Sequence, residues 1–575
     1  MRGHLQQGRR ELVAGWLLAA VATAVYLLTM SRTVDWWDCG EFIATSYLLQ
    51  VGHPPGAPLY QLLARCMMML SFGNPLWVAP LSNALSALCG GLTVMVLFRT
   101  LCELTQNSEF KIHHSLGAAA GALCYLFCDT VWFSAVESEV YALAMLFCAL
   151  DVWVMLRWRR SGNPRLLLLT ALLLGLGVCV HLMTLLVAPA LLWIFFRNAK
   201  LSTFRFPLLT FLIFFFLLGL TPYAIVPIRA AANPPVNQMG EGFVSYVKRD
   251  TYAKAPLYPR LWRERDADNW QQWGASDPAS LRDNTKYYAS YQLGYMYLRY
   301  LMYNFIGREN LAYNPEKQGF SIFNFQFSIF ILPFLLGLWG MVVHFRRRRS
   351  DFLLVLLLFL FGGIILNFYL NHPCYEPRER DYAYVLSFYA FALWIGIGAG
   401  SITHRRWRWL LLLAPATLAF GNWPDHDRSG CHSVHDIALN HLQSCSSDAI
   451  LITYGDNDTF PLWYLQQVEE CRTDIEVHNI NLEGYRKVLR LLDENDGRRT
   501  VYLTQYAYDA VGRYLGDDFH CSGFCWRMGG EATENRLDSI RWHITPSEYL
   551  DPVSKRFLQA WETNTRQSVG LLEGE

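Results

Sequence analysis

The sequence predicts an α-helical polytopic membrane protein with a small C-terminal α/β extramembrane domain, and three observations predict it. Hydrophobic residues make up 53% of the 575 positions and charged residues only 17%. The apolar residues fall in blocks long enough, at ~1.5 Å per residue, to cross a hydrocarbon core of ~30 Å. Arginines gather in alternate loops between those blocks.

The blocks run in order along the chain: Leu12–Met30, Trp77–Phe98, Leu116–Phe133 and Val140–Leu156. Leu166–Phe196 is too long for one straight span, and His181 interrupts it, so two short spans are expected to meet there. Phe206–Ile228, Phe323–Val343, Phe352–Leu370, Tyr382–Ile402 and the short, Pro415-containing Trp409–Trp423 complete a count of about eleven spans by hydropathy. No small-residue cleavage site follows the first block, so it is expected to stay as an anchor. Residues 1–423 form the membrane domain and 424–575 the tail.

Orientation follows the arginines. Arg2, Arg9 and Arg10, then Arg157 to Arg165, Arg197, Arg346 to Arg349, and Arg405 to Arg408 fall on one side if the spans alternate. By the positive-inside rule that side, with the amino terminus, is cytoplasmic. The loops 31–76, 229–321 and 371–381, and the tail, then face outward. A net charge of +1 gives no footprint for nucleic acid. Nine of the 14 cysteines precede position 375, mostly in or beside spans, and no pair of CxxC motifs suggests zinc. The five in the tail, Cys431, Cys445, Cys471, Cys521 and Cys525, permit disulfides but are odd in number.

Chemistry concentrates in the first outer loop, Ser31-Arg-Thr-Val-Asp35-Trp-Trp-Asp38-Cys-Gly-Glu41-Phe, followed by Val51-Gly-His53-Pro-Pro-Gly-Ala-Pro-Leu-Tyr60. Asp38 and Glu41 share a face if helical. Two such close carboxylates resist joint ionisation, so one holds its proton or a cation sits between them. A carboxylate base can take a proton from an incoming hydroxyl; the plainer alternative makes Asp38 a helix cap. His53 beside the stiff Pro-Pro pair suits donation to a phosphate or the orienting of a carboxylate. Glu137 and Glu139, in the short loop after the third span with Asp129 nearby, are expected to line the same site. Arg378 and Arg380 lie on the outer side against the charge trend, and arginine forks suit a phosphate at the membrane surface. Pairing with Glu376, Glu379 and Asp381 is the alternative. His181 reads as a packing histidine. The 229–321 loop, with Trp262, Trp270, Tyr287, Tyr288 and Tyr291 among basic residues, is expected at the bilayer interface. In the tail, helices over Ser433–Gln443 and Phe460–Glu470 and strands over Asp448–Thr453 and Asp474–Asn481 make an α/β pattern. Gly455-Asp-Asn-Asp458 falls at a strand-to-helix turn, either a ligand turn or a cap supplied by Asp458 or Thr459.

An acidic pair after the first span, followed about a dozen residues later by a basic residue and Pro-Pro, resembles the GT-C membrane glycosyltransferases, such as protein O-mannosyltransferases and lipid A aminoarabinose transferases. Trp37–Ala44, Gly52–Tyr60, Glu137–Leu143, Ser245–Tyr252, Arg378–Tyr384 and Gly455–Tyr464 are similar to a bacterial family of uncharacterised multispan proteins. Its vertebrate relative is a protein O-mannosyltransferase of the secretory pathway. The match fades after Asn481. The resemblance implies a GT-C-like fold in a bacterial inner membrane, the tail periplasmic, and a lipid-linked sugar donor on a polyprenyl phosphate. It implies a protein or glycan acceptor, with mannose and protein Ser/Thr preferred, and Asp38 or Glu41 as the catalytic carboxylate, Asp38 preferred as base with Glu41 orienting it, binding a metal ion or contacting the acceptor. No cofactor is required, although Glu41 has the chemistry to bind a divalent metal ion. A lipid acceptor, a transporter or flippase, and a non-catalytic scaffold are the competing readings. The charges gathered in loops, without internal repeats, favour the enzyme over the transporter.

Overall fold

The computed structural model describes residues 2–105, 114–199, 206–250, 271, 273, 276–277, 280–308, 329–372, 379–402, 410–495, 497–515 and 518–529. Arg378, Glu376, Trp262 and Trp270 therefore lie outside the described residues.

The membrane domain is a helical bundle. Helix α1 (Arg2–Thr29) leads into two helices of the first loop, α2 (Cys39–Leu48) and α3 (Pro58–Met68), and then into the long α4 (Val78–Thr105). Helices α5 (His114–Leu126), α6 (Asp129–Ala135), α7 (Val140–Ser161), α8 (Pro164–Val178) and α9 (Ala188–Asn198) follow. Beyond them come α10 (Phe206–Gly219), α11 (Ile225–Ala231), α12 (Phe243–Lys248), α13 (Leu281–Tyr287), a π-helical stretch Tyr288–Leu298, and α14 (Arg299–Ile306). The bundle closes with α15 (Leu332–Arg347), α16 (Arg349–Phe361), α17 (Ile364–Leu370), α18 (Val385–Gly400) and α19 (Leu410–His426).

Five helical segments are long and apolar enough to span: Gln6–Thr29, Pro75–Thr105, Val140–Ser161, Arg349–Leu370 and Asp381–Gly400. Two further apolar blocks are bent pairs rather than straight spans. Residues 115–135 turn by 66° between α5 and α6, and 207–231 turn by 43° where Pro222 ends regular pairing. Pro164–Val178 and Leu182–Asn198 are apolar but shorter. Among the described residues five segments, or seven if each bent pair is one span, meet the length and composition of a crossing, so the expected count of about eleven is not confirmed. The expected break at His181 is present. His181 is the N-cap of the turn that starts the second short helix, its Nδ1 accepting from the Met183 N–H at 3.1 Å.

Helix contacts rest on small residues. A Cβ added at Gly117 of α5 would lie 2.5 Å from Gly400 Cα, and one at Gly121 would lie 2.7 Å from Gly396 Cα. Two small-xxx-small stripes on α5 and α18 therefore let the backbones meet, which is how apolar helices associate where lipid competes for contacts.

The tail contains α20 (Ser433–Ser444), β1 (Ile450–Thr453), α21 (Asp456–Gln467), β2 (Glu476–Asn479), α22 (Tyr485–Asn495), β3 (Val501–Thr504), β4 (Phe519–Ser522) and β5 (Cys525–Met528). The sheet order is β2-β1-β3-β5-β4. β1 pairs in parallel with β2 (Ile450 opposite Glu476) and with β3 (Ile450 opposite Val501), and β5 is antiparallel to both β3 and β4. The first helix and the first two strands fall where the sequence places them. Helix α21 begins at Asp456, four residues before the expected Phe460, because its first turn is polar. The cap position belongs to Gly455, with no side-chain cap bond, which corrects the assignment of that role to Asp458 or Thr459. Among the described residues every cysteine is a free thiol.

Candidate functional site

The first loop folds back on itself so that its two motifs meet. Asp38 occupies the N-cap position of α2, but its side chain makes no capping hydrogen bond there. One turn on, Glu41 is fully buried. Its Oε1 accepts from the His53 backbone N–H (2.8 Å) and from Gln238 Nε2 (2.7 Å), and its Oε2 lies 2.5 Å from His53 Nδ1. Burial disfavours the His53 imidazolium, but the Glu41 carboxylate outweighs this, with help from Asp38 and Asp456, and its pKa is pushed up to about 10. Asp38 is half-buried, and one of its oxygens lies within 4.8 Å of the ligand atoms of both Glu41 and His53.

Those three groups are close enough to share a cation. Glu41 Oε1 already accepts from two N–H donors and its Oε2 meets the His53 ring, so a bound ion competes with these contacts. The loop bearing His53 is held from outside. The Tyr246 hydroxyl of α12 donates to Gly52 O (2.9 Å) and packs where a Gly56 side chain would stand.

The tail reaches this site. The Trp37 N–H donates to Asn457 Oδ1 at 2.6 Å. Trp37 has φ 61°, a left-handed conformation that costs a side-chain-bearing residue about 1–2 kcal/mol, of the same order as one net hydrogen bond. A Cβ at Gly40 would lie 2.6 Å from the Phe460 backbone carbonyl, so α2 and α21 are in backbone contact and glycine is required there. Gln50 Nε2 donates to Gln467 Oε1 at 2.5 Å. Deeper in the turn Asp458 accepts from the Tyr454 N–H (2.9 Å) and the Thr504 hydroxyl, while its Oδ1 meets no donor among the described residues. Burial, opposed by those two bonds, pushes its pKa up to about 7.

Glu137 is buried and pairs with Arg428 Nη1 at 2.8 Å. The same nitrogen holds Asp35 at 2.8 Å, and the guanidinium stacks 3.9 Å from the Phe133 ring centre. Arg428 thus ties the chain beyond α19 to the first loop, and Glu137 serves that tie. Glu139 is fully buried beside it.

A second polar cluster surrounds Arg380. Glu379 receives both terminal nitrogens of Arg299 (3.1 and 2.7 Å) and the Tyr300 hydroxyl (2.5 Å). Asp381 receives Thr130 Oγ1 (2.5 Å) and faces Arg308 Nη2 (3.6 Å), which also binds Asp129 through Nε (2.8 Å). The described acids flanking Arg380 are therefore engaged by other arginines, and Arg380 donates to the Tyr382 hydroxyl at 2.5 Å. The Tyr382 ring packs on Tyr141 (4.5 Å), which packs on His181 (5.6 Å). His181 lies within electrostatic reach of Asp38, His53 and Arg249. A row of rings thus links Arg380 to the acidic pair.

The structure unites Asp38, Glu41 and His53, adds Gln238, Asp456 and Asn457, and places Arg380 along the aromatic row. The sequence offered no signal for Arg299, Arg308 or Arg428, whose partners are distant along the chain. Asn457 stood within a flagged turn, but nothing in its neighbourhood pointed to Trp37.

Two segments of the chain match known families. Residues 38–203 match the protein O-mannosyl-transferase TMEM260 N-terminal domain, and 434–486 match TMEM260-associated domain 2. The first begins at Asp38 and the second contains Asn457. A mouse (Mus musculus) protein O-mannosyl-transferase TMEM260 is 30% identical over 252 residues, 42% of this chain and 34% of the relative. A Dictyostelium discoideum protein O-mannosyl-transferase tmem260 is 26% identical over 262 residues, 42% of this chain and 31% of the relative. The chain spans about a third of the length of these relatives. An S. cerevisiae protein O-mannosyltransferase Pmt1-Pmt2 complex bound to the sugar donor superposes with a TM-score of 0.30 at 19% identity, covering 39% of this chain and 33% of that one, too loosely to define the fold. The chain is an integral membrane protein with segments similar to protein O-mannosyltransferases.

Proposed function

We propose that this chain is a GT-C-type inverting glycosyltransferase that moves mannose from a polyprenyl-phosphate carrier to a serine or threonine hydroxyl of a protein. The reaction takes place on the non-cytoplasmic face of a bacterial inner membrane, the tail being periplasmic. Asp38 accepts the acceptor's proton as its oxygen attacks the anomeric carbon, and the carrier phosphate leaves with the bonding electron pair. Glu41 orients His53 and the loop. Arg380 holds the carrier phosphate, its guanidinium fork suiting a phosphate at the membrane surface.

The observation that carries this reading is the asymmetry of the carboxylate pair. Glu41 is buried with both oxygens already engaged by His53 and Gln238, so neither is open to an incoming hydroxyl. Asp38 is half-exposed beside it, so a hydroxyl can reach it. The scheme draws on no cofactor.

The test is transfer by the purified full chain in detergent, from polyprenyl-phosphate mannose carrying labelled sugar to a Ser/Thr-rich synthetic peptide. Labelled peptide with alkali-labile mannose of inverted anomeric configuration is expected. A chain that moves the intact donor between leaflets of a vesicle but never cleaves it is a transporter, and the proposal falls.

A further inference from the structure

We propose that Asn457, on the tail, is a positioning residue for the Asp38 base, so that the active site is shared between the membrane domain and the tail. The inference rests on the reading of Asp38 given above.

The tail sheet explains why this turn is available. β1 lies between β2 and β3, so the chain leaves β1 for one neighbour and later returns to the other, which makes the carboxyl end of β1 a topological switch point. Open α/β sheets bind their ligands in the crevice at such points. Here the turn Gly455-Asp456-Asn457 at that end faces the peptide of Trp37. The Asn457 amide oxygen accepts the N–H of the residue immediately before Asp38, and that residue is in the left-handed region. Without this acceptor the Trp37 peptide has reason to relax toward ordinary backbone, and Asp38, one residue on, turns with it.

Three further features make the contact specific rather than incidental. Gly40, two residues after Asp38, admits the Phe460 backbone at a distance no side chain tolerates. Arg428 fixes Asp35 from the other side, so the segment 35–38 is held at both ends by residues beyond α19. Asp456, adjacent to Asn457, is near enough for its charge to act on His53. The tail thus supplies both the hydrogen bond that shapes the base and a third carboxylate at the rim.

The experiment compares full-length wild type, Asn457→Ala, Asn457→Asp and Gln467→Ala in detergent, with the same mannosyl donor and peptide. Gln467 contacts Gln50 at the same interface but away from Asp38. Asn457→Ala should lower kcat by roughly tenfold or more with donor KM little changed, a loss confined to the transition state. Asn457→Asp keeps the accepting oxygen and should restore turnover to within a few-fold. Its added charge should move the acidic limb of the pH profile upward. Gln467→Ala should turn over like wild type. Carbodiimide labelling of Asp38, read by mass spectrometry, reports its setting independently of activity and should change in Asn457→Ala but not in Gln467→Ala. Wild type that transfers nothing sinks the proposed function, and the labelling then still decides this inference. Unchanged Asp38 labelling in Asn457→Ala, or equal losses in Asn457→Ala and Gln467→Ala, overturns it.

Discussion

At the scale of residues, the site separates two carboxylates three positions apart by what touches them. Glu41 is spent on His53 and Gln238, whereas Asp38 keeps an exposed side. The sequence favoured Asp38 over Glu41 as base only through the family resemblance, because the partners that distinguish them come from 12 and 197 positions away. Asp458 offers a test in the tail. Its folded pKa of about 7 lies above the ordinary 3.8, so the folded form keeps a proton that the unfolded chain releases. Its contribution is full below about pH 4 and is lost as pH rises through 7, by at most roughly 4 kcal/mol. Asp458→Asn should flatten that slope. Thermal unfolding at pH 4.5 and 8 checks it: the wild-type Tm should fall with pH more than the variant's, and parallel slopes would remove the assignment.

At the scale of elements, α2 and α21 form the joint on which the site depends. Gly40→Ala places a methyl group 2.6 Å from the Phe460 carbonyl, so the two helices must separate. The variant should lose most transfer activity and unfold at lower temperature. Gly8→Ala, with open space around it, should do neither. Wild-type activity in Gly40→Ala would mean that the close approach is not needed. The existence of most helices and of β1 and β2 was readable from apolar blocks and period. The bend between α5 and α6 was not, since Leu116–Phe133 is continuously apolar while its axis turns by 66°. The start of α21 was misplaced because Asp456 and Asn457 look like loop residues. Strands β3 to β5 lie where the family resemblance fades and were not anticipated.

At the scale of the whole molecule, the apolar bundle and the tail are joined through Arg428, Asn457 and Gly40, and the two family-matched segments meet at one place. The proposed orientation, read from the arginine pattern, puts that meeting point on the non-cytoplasmic side. A reporter fused after Ser350 should read as cytoplasmic and one after Glu575 as the opposite side; a cytoplasmic carboxyl end would overturn this orientation. The change from apolar helices to a small C-terminal sheet was visible in composition, but the contact between them was not, because nothing in a one-dimensional pattern pairs position 37 with 457. The most direct test of the central claim is transfer from polyprenyl-phosphate mannose by wild type beside Asp38→Asn. The amide keeps size and most hydrogen bonding but accepts no proton, so turnover should fall by at least ~100-fold while donor binding survives. An Asp38→Asn enzyme as active as wild type would contradict the assignment of Asp38 as the base.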